Sequence, residues 1–163
     1  MLDGNHIFSG LKVLDLASFI AGPAATTILA DFGTDVVKVE PPVTGDPYRF
    51  FSTTPPNPVS EFNYAWQLTN RNKRSIALDL KSSDAKEVLL RLVRWADVVV
   101  INFPPRVKAA LGVTYDALSP PPAHLRRRHR LWLCRPRGRH TGFRRHSVLG
   151  AHRLHDSRTG RMS

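Results

Sequence analysis

The sequence predicts an α/β fold, an open parallel sheet with helices on both faces, followed by a disordered or poorly ordered Arg-rich tail. Three observations carry this. Two strand-helix-strand units of about 30 residues, the length of a right-handed βαβ crossover, lie within residues 1–120. The run Asp97 to Ile101 is almost continuously apolar, as suits a parallel strand covered on both faces. Charge divides sharply after Pro120: residues 1–120 hold 12 of the 24 Lys and Arg beside 12 of the 13 acids, whereas residues 121–163 hold 12 Arg, no Lys and one acid, Asp156. The formal charge of +11 therefore belongs to residues 121–163. The expected division is a folded unit over 1–120 and a tail over 121–163.

Lys12 to Leu16 alternates and is rich in aliphatic and β-branched residues, which predicts a first strand, and Asp35 to Glu40 repeats that character. Between them, Pro23 suits a first helical turn, Ala24 to Phe32 is apolar and helix-forming, and Gly33 fits the position just past a helix end. Pro41 to Asn63 reads as a long loop with prolines at Pro41, Pro42, Pro47, Pro55, Pro56 and Pro58. Loops longer than about 15 residues in compact domains tend to be functional or mobile. Ser75 to Leu80 predicts a third strand. Ser82 then suits an N-cap for a helix over Ser83 to Trp95, with Asp84 and Glu87 in its first turn and Arg91 and Arg94 near its end, complementing the macrodipole. Val88, Leu89, Leu92 and Val93 recur at helical spacing and predict its buried stripe. Asp97 to Ile101 is the fourth strand, and a short helix from Pro105 to Leu111, stopped by Gly112, completes a partial Rossmann-like sheet. Ligands of such sheets bind beyond the carboxyl ends of the strands. Here those ends are Ala17 to Gly22, Glu40 to Pro42, Leu80 to Ser82 and Asn102 to Pro104. No internal repeat is visible.

A chain of 163 residues is long enough for one domain with its own core. Its one cysteine, Cys134, excludes an internal disulfide framework and fits a reducing compartment. No segment approaches the roughly 20 apolar residues that span a bilayer. Met1 to Gly10 lacks the basic and apolar regions of a signal peptide. The expectation is a soluble cytoplasmic protein with no membrane partner.

Two local motifs admit two readings each. Ala21-Gly22-Pro23 either presents backbone N–H groups at a helix N-terminus to a phosphate or is a tight turn into a core helix. The absence of G-x-G-x-x-G and of a Walker A sequence argues against a dinucleotide site. Arg71, Lys73 and Arg74 either bind a phosphate or carboxylate or form a solvated basic face. His6, isolated near the start, reads as a solvated residue.

Taken together, the blocks GLKVLDLASFIAGPAATTILADFGTDVVKVEPP, NRNKRSIALDLK and ADVVVINFPPRVKAALGV resemble the N-terminal part of the class III CoA-transferase family. That family includes formyl-CoA transferase, the carnitine and bile-acid CoA-transferases and the related α-methylacyl-CoA racemases. The resemblance covers Gly10 to Leu118, with the blocks in the family's order and at its spacing. It implies transfer of coenzyme A between acyl groups and carboxylic acids, with acyl-CoA as substrate and no metal. It also implies an interlocked homodimer for the intact protein, doubtful for this chain, which cannot close a ring. The coenzyme A contacts it implies are Ile20 and Ala21 after the first strand, Leu78, Asp79, Leu80 and Lys81 after the third, and Asn102, Phe103 and Pro104 after the fourth. Ile20 stands where some members have Gln, and Ala110 where formyl-CoA transferase has a basic residue, so the expectation is phosphate contacts that are fewer or placed differently here.

The family's aspartate nucleophile is expected near Arg144, but the chain reads Gly142-Phe143-Arg144 there, with no carboxylate before Asp156. Arg without Lys, together with six of the seven His, is what a GC-rich gene yields when read out of frame. Trp132 followed by Leu133 forces a glycine in the +1 frame, where the surrounding codons permit I-G-F-G, and Gly142 to Leu154 permits G-F-D-V-T-A-F-W-A-R-T-G-F. The expectation is a one-nucleotide frameshift near Leu118 to Pro122, an aspartate codon straddling Arg144 and Arg145, and a truncated, inactive chain. Such a sheet, lacking its later strands, exposes its edges and is expected to fold solubly only with difficulty. Three other readings remain. The racemase branch uses a His and Asp pair that also falls in the replaced region. A small basic nucleic-acid-binding protein is the second, using Arg126 to Arg130 and Arg135 to Arg139 with Trp132 and Phe143 interleaved; non-specific polyanion binding by the tail is expected in any case. The third, a zinc site from His124, His129, Cys134 and His140, matches no standard spacing.

Overall fold

The computed structural model describes residues 6–118 and 130–133. Its strands are β1 (Lys12–Asp15), β2 (Asp35–Glu40), β3 (Arg74–Ala77), β4 (Val98–Ile101) and β5 (Arg130–Leu133), and its helices are α1 (Ala21–Asp31), α2 (Tyr64–Asn70), α3 (Ser83–Trp95), α4 (Pro105–Ala110) and α5 (Tyr115–Leu118). A 3₁₀ helix spans Pro47–Thr53. All strand pairings are parallel, in the order β3-β2-β1-β4-β5. The chain builds outward from β1 to β3, then crosses to the other side of β1 for β4. That reversal makes the carboxyl ends of β1 and β4 a topological switch point, the position where open α/β sheets generally form their ligand crevice.

Alternation along the strands separates two faces. Leu14, Leu16, Val37, Val39, Val99 and Ile101 join Leu89 and Val93 of α3, together with Val113 and Leu118, in the larger core. Val13 and Val36 meet Ala30 of α1 on the opposite face. Helices thus cover both faces, as the apolar strand VVVI requires.

Helix α3 has the predicted ends, and the Ser82 hydroxyl accepts the Asp84 N–H at 3.3 Å. Its stripe is rotated from the expected one: Ala85, Leu89 and Val93 are buried, Leu92 packs at the margin, and Val88 is exposed. Spacing of four residues aligns positions 85, 89 and 93, which leaves Val88 at the edge of the apolar arc. Helix α1 begins two residues before Pro23, and Gly33 follows it with φ of 92°, the left-handed geometry a helix stop uses. The expected loop Pro41 to Asn63 contains the 3₁₀ helix, started by Asp46, whose side chain accepts the Tyr48 N–H. Strand β3 lies at Arg74–Ala77, so Leu78 to Leu80 belong to the connection beyond it. Inside the segment expected to lack order, Arg130–Leu133 pairs with β4 from Val98↔Arg130 to Ile101↔Leu133. Arg126 to His129, Arg135 to Arg139, Phe143 and the His124, His129, Cys134 and His140 group lie outside the described residues, as does the Arg144 region.

Candidate functional site

In the turn joining β1 to α1, main-chain groups of Ala17, Ser18 and Phe19 are held by Asp15 of β1 and by side chains from three other segments. Asp15 accepts the Ala17 N–H at 3.0 Å, and the Lys38 ammonium donates to the Ala17 carbonyl at 2.8 Å. Asn102, just past β4, accepts the Ser18 N–H at 2.9 Å and donates its amide to the Ser18 carbonyl at 2.7 Å. Asp46 accepts the Phe19 N–H at 3.1 and 3.2 Å through its two oxygens. Phe19 itself has φ of 68°, a left-handed conformation unusual for a bulky residue. Ile20 follows as the N-cap of α1 with no side-chain capping bond, and Ala21 opens the helix. Gly22 is required sterically: a Cβ there would lie 2.2 Å from the Ala17 Cβ. Ala21-Gly22-Pro23 is thus a tight turn into a core helix, with Gly22 and Pro23 buried.

Beneath the turn, on the α1 face of the sheet, lies a buried set of charges. Lys38 pairs with Asp46 at 3.0 Å, and Lys73 with Asp15 at 2.9 Å, all four side chains almost fully buried. The Lys73 ammonium also reaches the Pro23 and Thr69 carbonyls and the Asn70 side chain at 2.7, 2.8 and 3.1 Å. Burial pushes its pKa down to about 8, against the raising influence of the Asp15 charge. Glu40 takes a bidentate contact from Arg49 at 2.7 and 2.8 Å, the Asp46 N–H at 3.1 Å and the Ser75 hydroxyl at 2.9 Å. Burial raises the Glu40 pKa, but those donors outweigh it and the net shift is downward. The Arg49 guanidinium lies 3.7 Å from the Trp66 ring centre, which ties the 3₁₀ segment to α2.

The solvated-face reading of the Arg71, Lys73 and Arg74 cluster holds for the two exposed arginines and not for Lys73. Arg71 pairs with Asp31 at 2.6 Å and Arg74 with Asp35 at 2.7 Å, both at the surface, while Lys73 is the buried member. Asn72, with φ of 59°, turns the chain just before β3, and Lys73 follows it with its ammonium directed to Asp15.

The expected contact residues all lie at the carboxyl edge of the sheet, in two groups. Ile20 and Ala21 stand beside Asn102, Phe103 and Pro104 at the β1/β4 crevice, linked by the Asn102 contacts with Ser18. Phe103 packs against the larger core, and exposed Pro104 caps the start of α4. Leu78 to Lys81 follow β3, which two strands separate from β4. At the usual strand spacing β3 lies about 10 Å from β1 and about 14 Å from β4. Leu78 and Leu80 pack against the core. Asp79 accepts the Lys81 N–H at 3.0 Å, and the Lys81 side chain is exposed. The sequence reading missed Asp15, Lys38 and Asp46. For Asp15 and Lys38 the available signal was an ionisable residue inside an apolar strand, in KVLD and DVVKVE; Asp46, in the Pro-rich loop, carried no such signal.

Among the described residues no group of three or more His, Cys, Asp or Glu is placed to hold a metal ion, and no helix is long and apolar enough to cross a membrane. The model for CoA-transferase family III matches residues 8–127. The chain is 39% identical over 120 residues to the cinnamoyl-CoA:phenyllactate CoA-transferase of Clostridium sporogenes, covering 73% of this chain and 29% of that protein. It is 43% identical over 110 residues to the formyl-CoA:oxalate CoA-transferase of Rhodopseudomonas palustris, covering 68% and 25%. Among solved structures, a CAIB/BAIF family protein from Brucella suis superposes with a TM-score of 0.61 at 38% identity, over 70% of this chain and 30% of that one. The chain thus spans less than a third of the length of these relatives.

Proposed function

The chain belongs to CoA-transferase family III, and from that premise we propose that its carboxyl edge is the coenzyme A-binding edge of a transferase that moves CoA between an acyl thioester and a carboxylic acid. In this reading Ile20, Ala21, Asn102, Phe103 and Pro104 line the crevice, and Leu78, Asp79, Leu80 and Lys81 meet the extended ligand farther along the edge. The observation that supports it most is the clamped turn between Asp15 and Ala21. Four side chains fix it before any ligand arrives, so the helix start and the crevice are preorganised. A ligand that touches both groups must be long, and coenzyme A is.

The covalent step belongs to the whole protein: an aspartate attacks the thioester and carries first the acyl group and then CoA. The sequence holds no Asp or Glu between Pro121 and His155, so in this reading the 163-residue chain turns nothing over and binds coenzyme A weakly at most. We further read the charge break after Pro120 as a one-nucleotide frameshift, and the frame-restored protein as a cytoplasmic, interlocked homodimer.

The test is to sequence the gene from the codon for Ala117 onward and express both frames. A +1 frame that continues with G-F-D and yields an acyl-CoA-dependent transferase supports the proposal. Absence of such a frame refutes the frameshift. Absence of coenzyme A binding by either protein, measured by calorimetric titration, refutes the site.

A further inference from the structure

We infer that Asp46 is a positioning residue: its buried carboxylate holds Phe19 in left-handed geometry and thereby sets the direction in which Ile20 and Ala21 face the ligand. The inference rests on the coenzyme A reading above and deepens it by naming what fixes that part of the site. It starts from Phe19, whose φ of 68° is one that bulky L-residues avoid because Cβ crowds the carbonyl oxygen. Something must hold such a residue there. Asp46 supplies both its oxygens to the Phe19 N–H. The Phe19 ring adds edge-on contacts with Tyr48 and Phe51, at 5.2 and 6.3 Å between centroids, so the 3₁₀ segment grips the residue at backbone and side chain together.

The carboxylate is itself fixed from every side. Lys38 lies 3.0 Å from its Oδ2, the Tyr48 N–H donates to Oδ1 at 2.9 Å, and the Asp46 N–H is held by Glu40 at 3.1 Å. Charge matters as well as shape, because an amide nitrogen at the Oδ2 position would face the Lys38 ammonium, donor against donor. Lys38 donates to the Ala17 carbonyl as well, so one buried pair grips the turn on both sides of Ser18. The Pro-rich loop after β2, of a length that tends to be functional or mobile, thereby becomes part of the site without touching the ligand.

The experiment uses the 163-residue chain and the frame-restored protein, with coenzyme A as the probe. Asp46→Asn and Asp46→Ala are compared with Val93→Ala, a core change on the other face of the sheet. Binding is read by calorimetry and backbone amide exchange by NMR. The expected result is that Asp46→Asn weakens coenzyme A binding about tenfold or more, the effect of losing a charge-assisted contact, while Val93→Ala does not. Adding Phe19→Gly to Asp46→Asn should recover most of the loss, since glycine adopts left-handed geometry unaided. Rescue of this kind does not follow from a merely structural role. Should Asp46→Ala fail to fold, Asp46→Asn, which keeps the shape, carries the test. Unchanged affinity in Asp46→Asn overturns the inference, and so does an equal loss in Val93→Ala. Should neither wild-type protein bind coenzyme A, the site reading fails, and exchange at Phe19 then judges the clamp alone. Selective acceleration there in Asp46→Asn supports it, and no change overturns it.

Discussion

Lys73 makes the stability of this fold rise with pH where most proteins gain nothing. Its side chain is 2% exposed and its pKa is about 8, below the usual 10.5. In the unfolded chain the amine stays protonated to about pH 10, so between the two values the unfolded state binds more protons than the folded one. Stability therefore increases as pH rises through that window, and the gain is lost as pH falls through 8. Integrated from pH 7 to pH 10, a shift of that size corresponds to about 2 kcal/mol. That is a sizeable part of a total that for a domain is typically about 5–15 kcal/mol. The assay is urea unfolding followed by circular dichroism at pH 7, 8, 9 and 10, on the wild type and on Lys73→Met. The wild-type midpoint should move to higher urea across the series, and the variant, having no amine to titrate, should lack that component. Parallel curves for the two proteins would refute the reasoning, since they would mean that Lys73 titrates alike folded and unfolded.

Three further outcomes follow from other contacts. Gly22→Ala forces a Cβ to within 2.2 Å of Ala17 and should cost about 1–3 kcal/mol in chemical unfolding, as overpacking does, while weakening coenzyme A binding through the displaced turn. Ile101→Ala, at a fully buried position of the larger core, should cost about 2–5 kcal/mol in the same assay. Glu40, whose pKa is depressed, contributes stability present above its ordinary 4.5 and lost as pH falls through the lower folded value. Glu40→Gln should therefore flatten the wild-type decline between pH 5 and pH 3, and an undiminished decline in the variant would assign acid sensitivity to other carboxylates.

Helix α3 was legible at both ends because two local signals agree there: a serine whose hydroxyl caps the first turn, and an apolar arc long enough to establish its period. Strands β1 to β4 were legible from branched aliphatic runs, and their carboxyl ends mark the candidate site; β5, inside the Arg-rich segment, was not. Helix α2 was not. Its seven residues, YAWQLTN, are too few to show a period, and its start depends on Asn63 accepting the Trp66 N–H at 3.1 Å, which reads in sequence as one more loop residue. The buried charges were hidden for a different reason. DVVKVE reads as a strand with alternating polar positions, and nothing local says that Lys38 faces a carboxylate rather than water. Asp15 meets its ammonium 58 residues later in the chain. Burial of an ion depends on its partner, and these partners come from loops whose path the hydrophobic pattern does not specify.

The strand made first, β1, is flanked by β2 and β4, and its two sides are completed at very different times. Its pairing with β2 closes over a short stretch, from Lys12↔Asp35, but Val13 must wait for Val98. On a ribosome, a nascent chain that has not yet delivered residue 101 holds β1 with one flank unpaired. Leu14 and Leu16 then lack Ile101, and the Ser18 main chain lacks Asn102. Closing so long a connection is slow for parallel sheets, so β1 gains its second flank, and Ser18 its Asn102 contacts, only once β4 has been made.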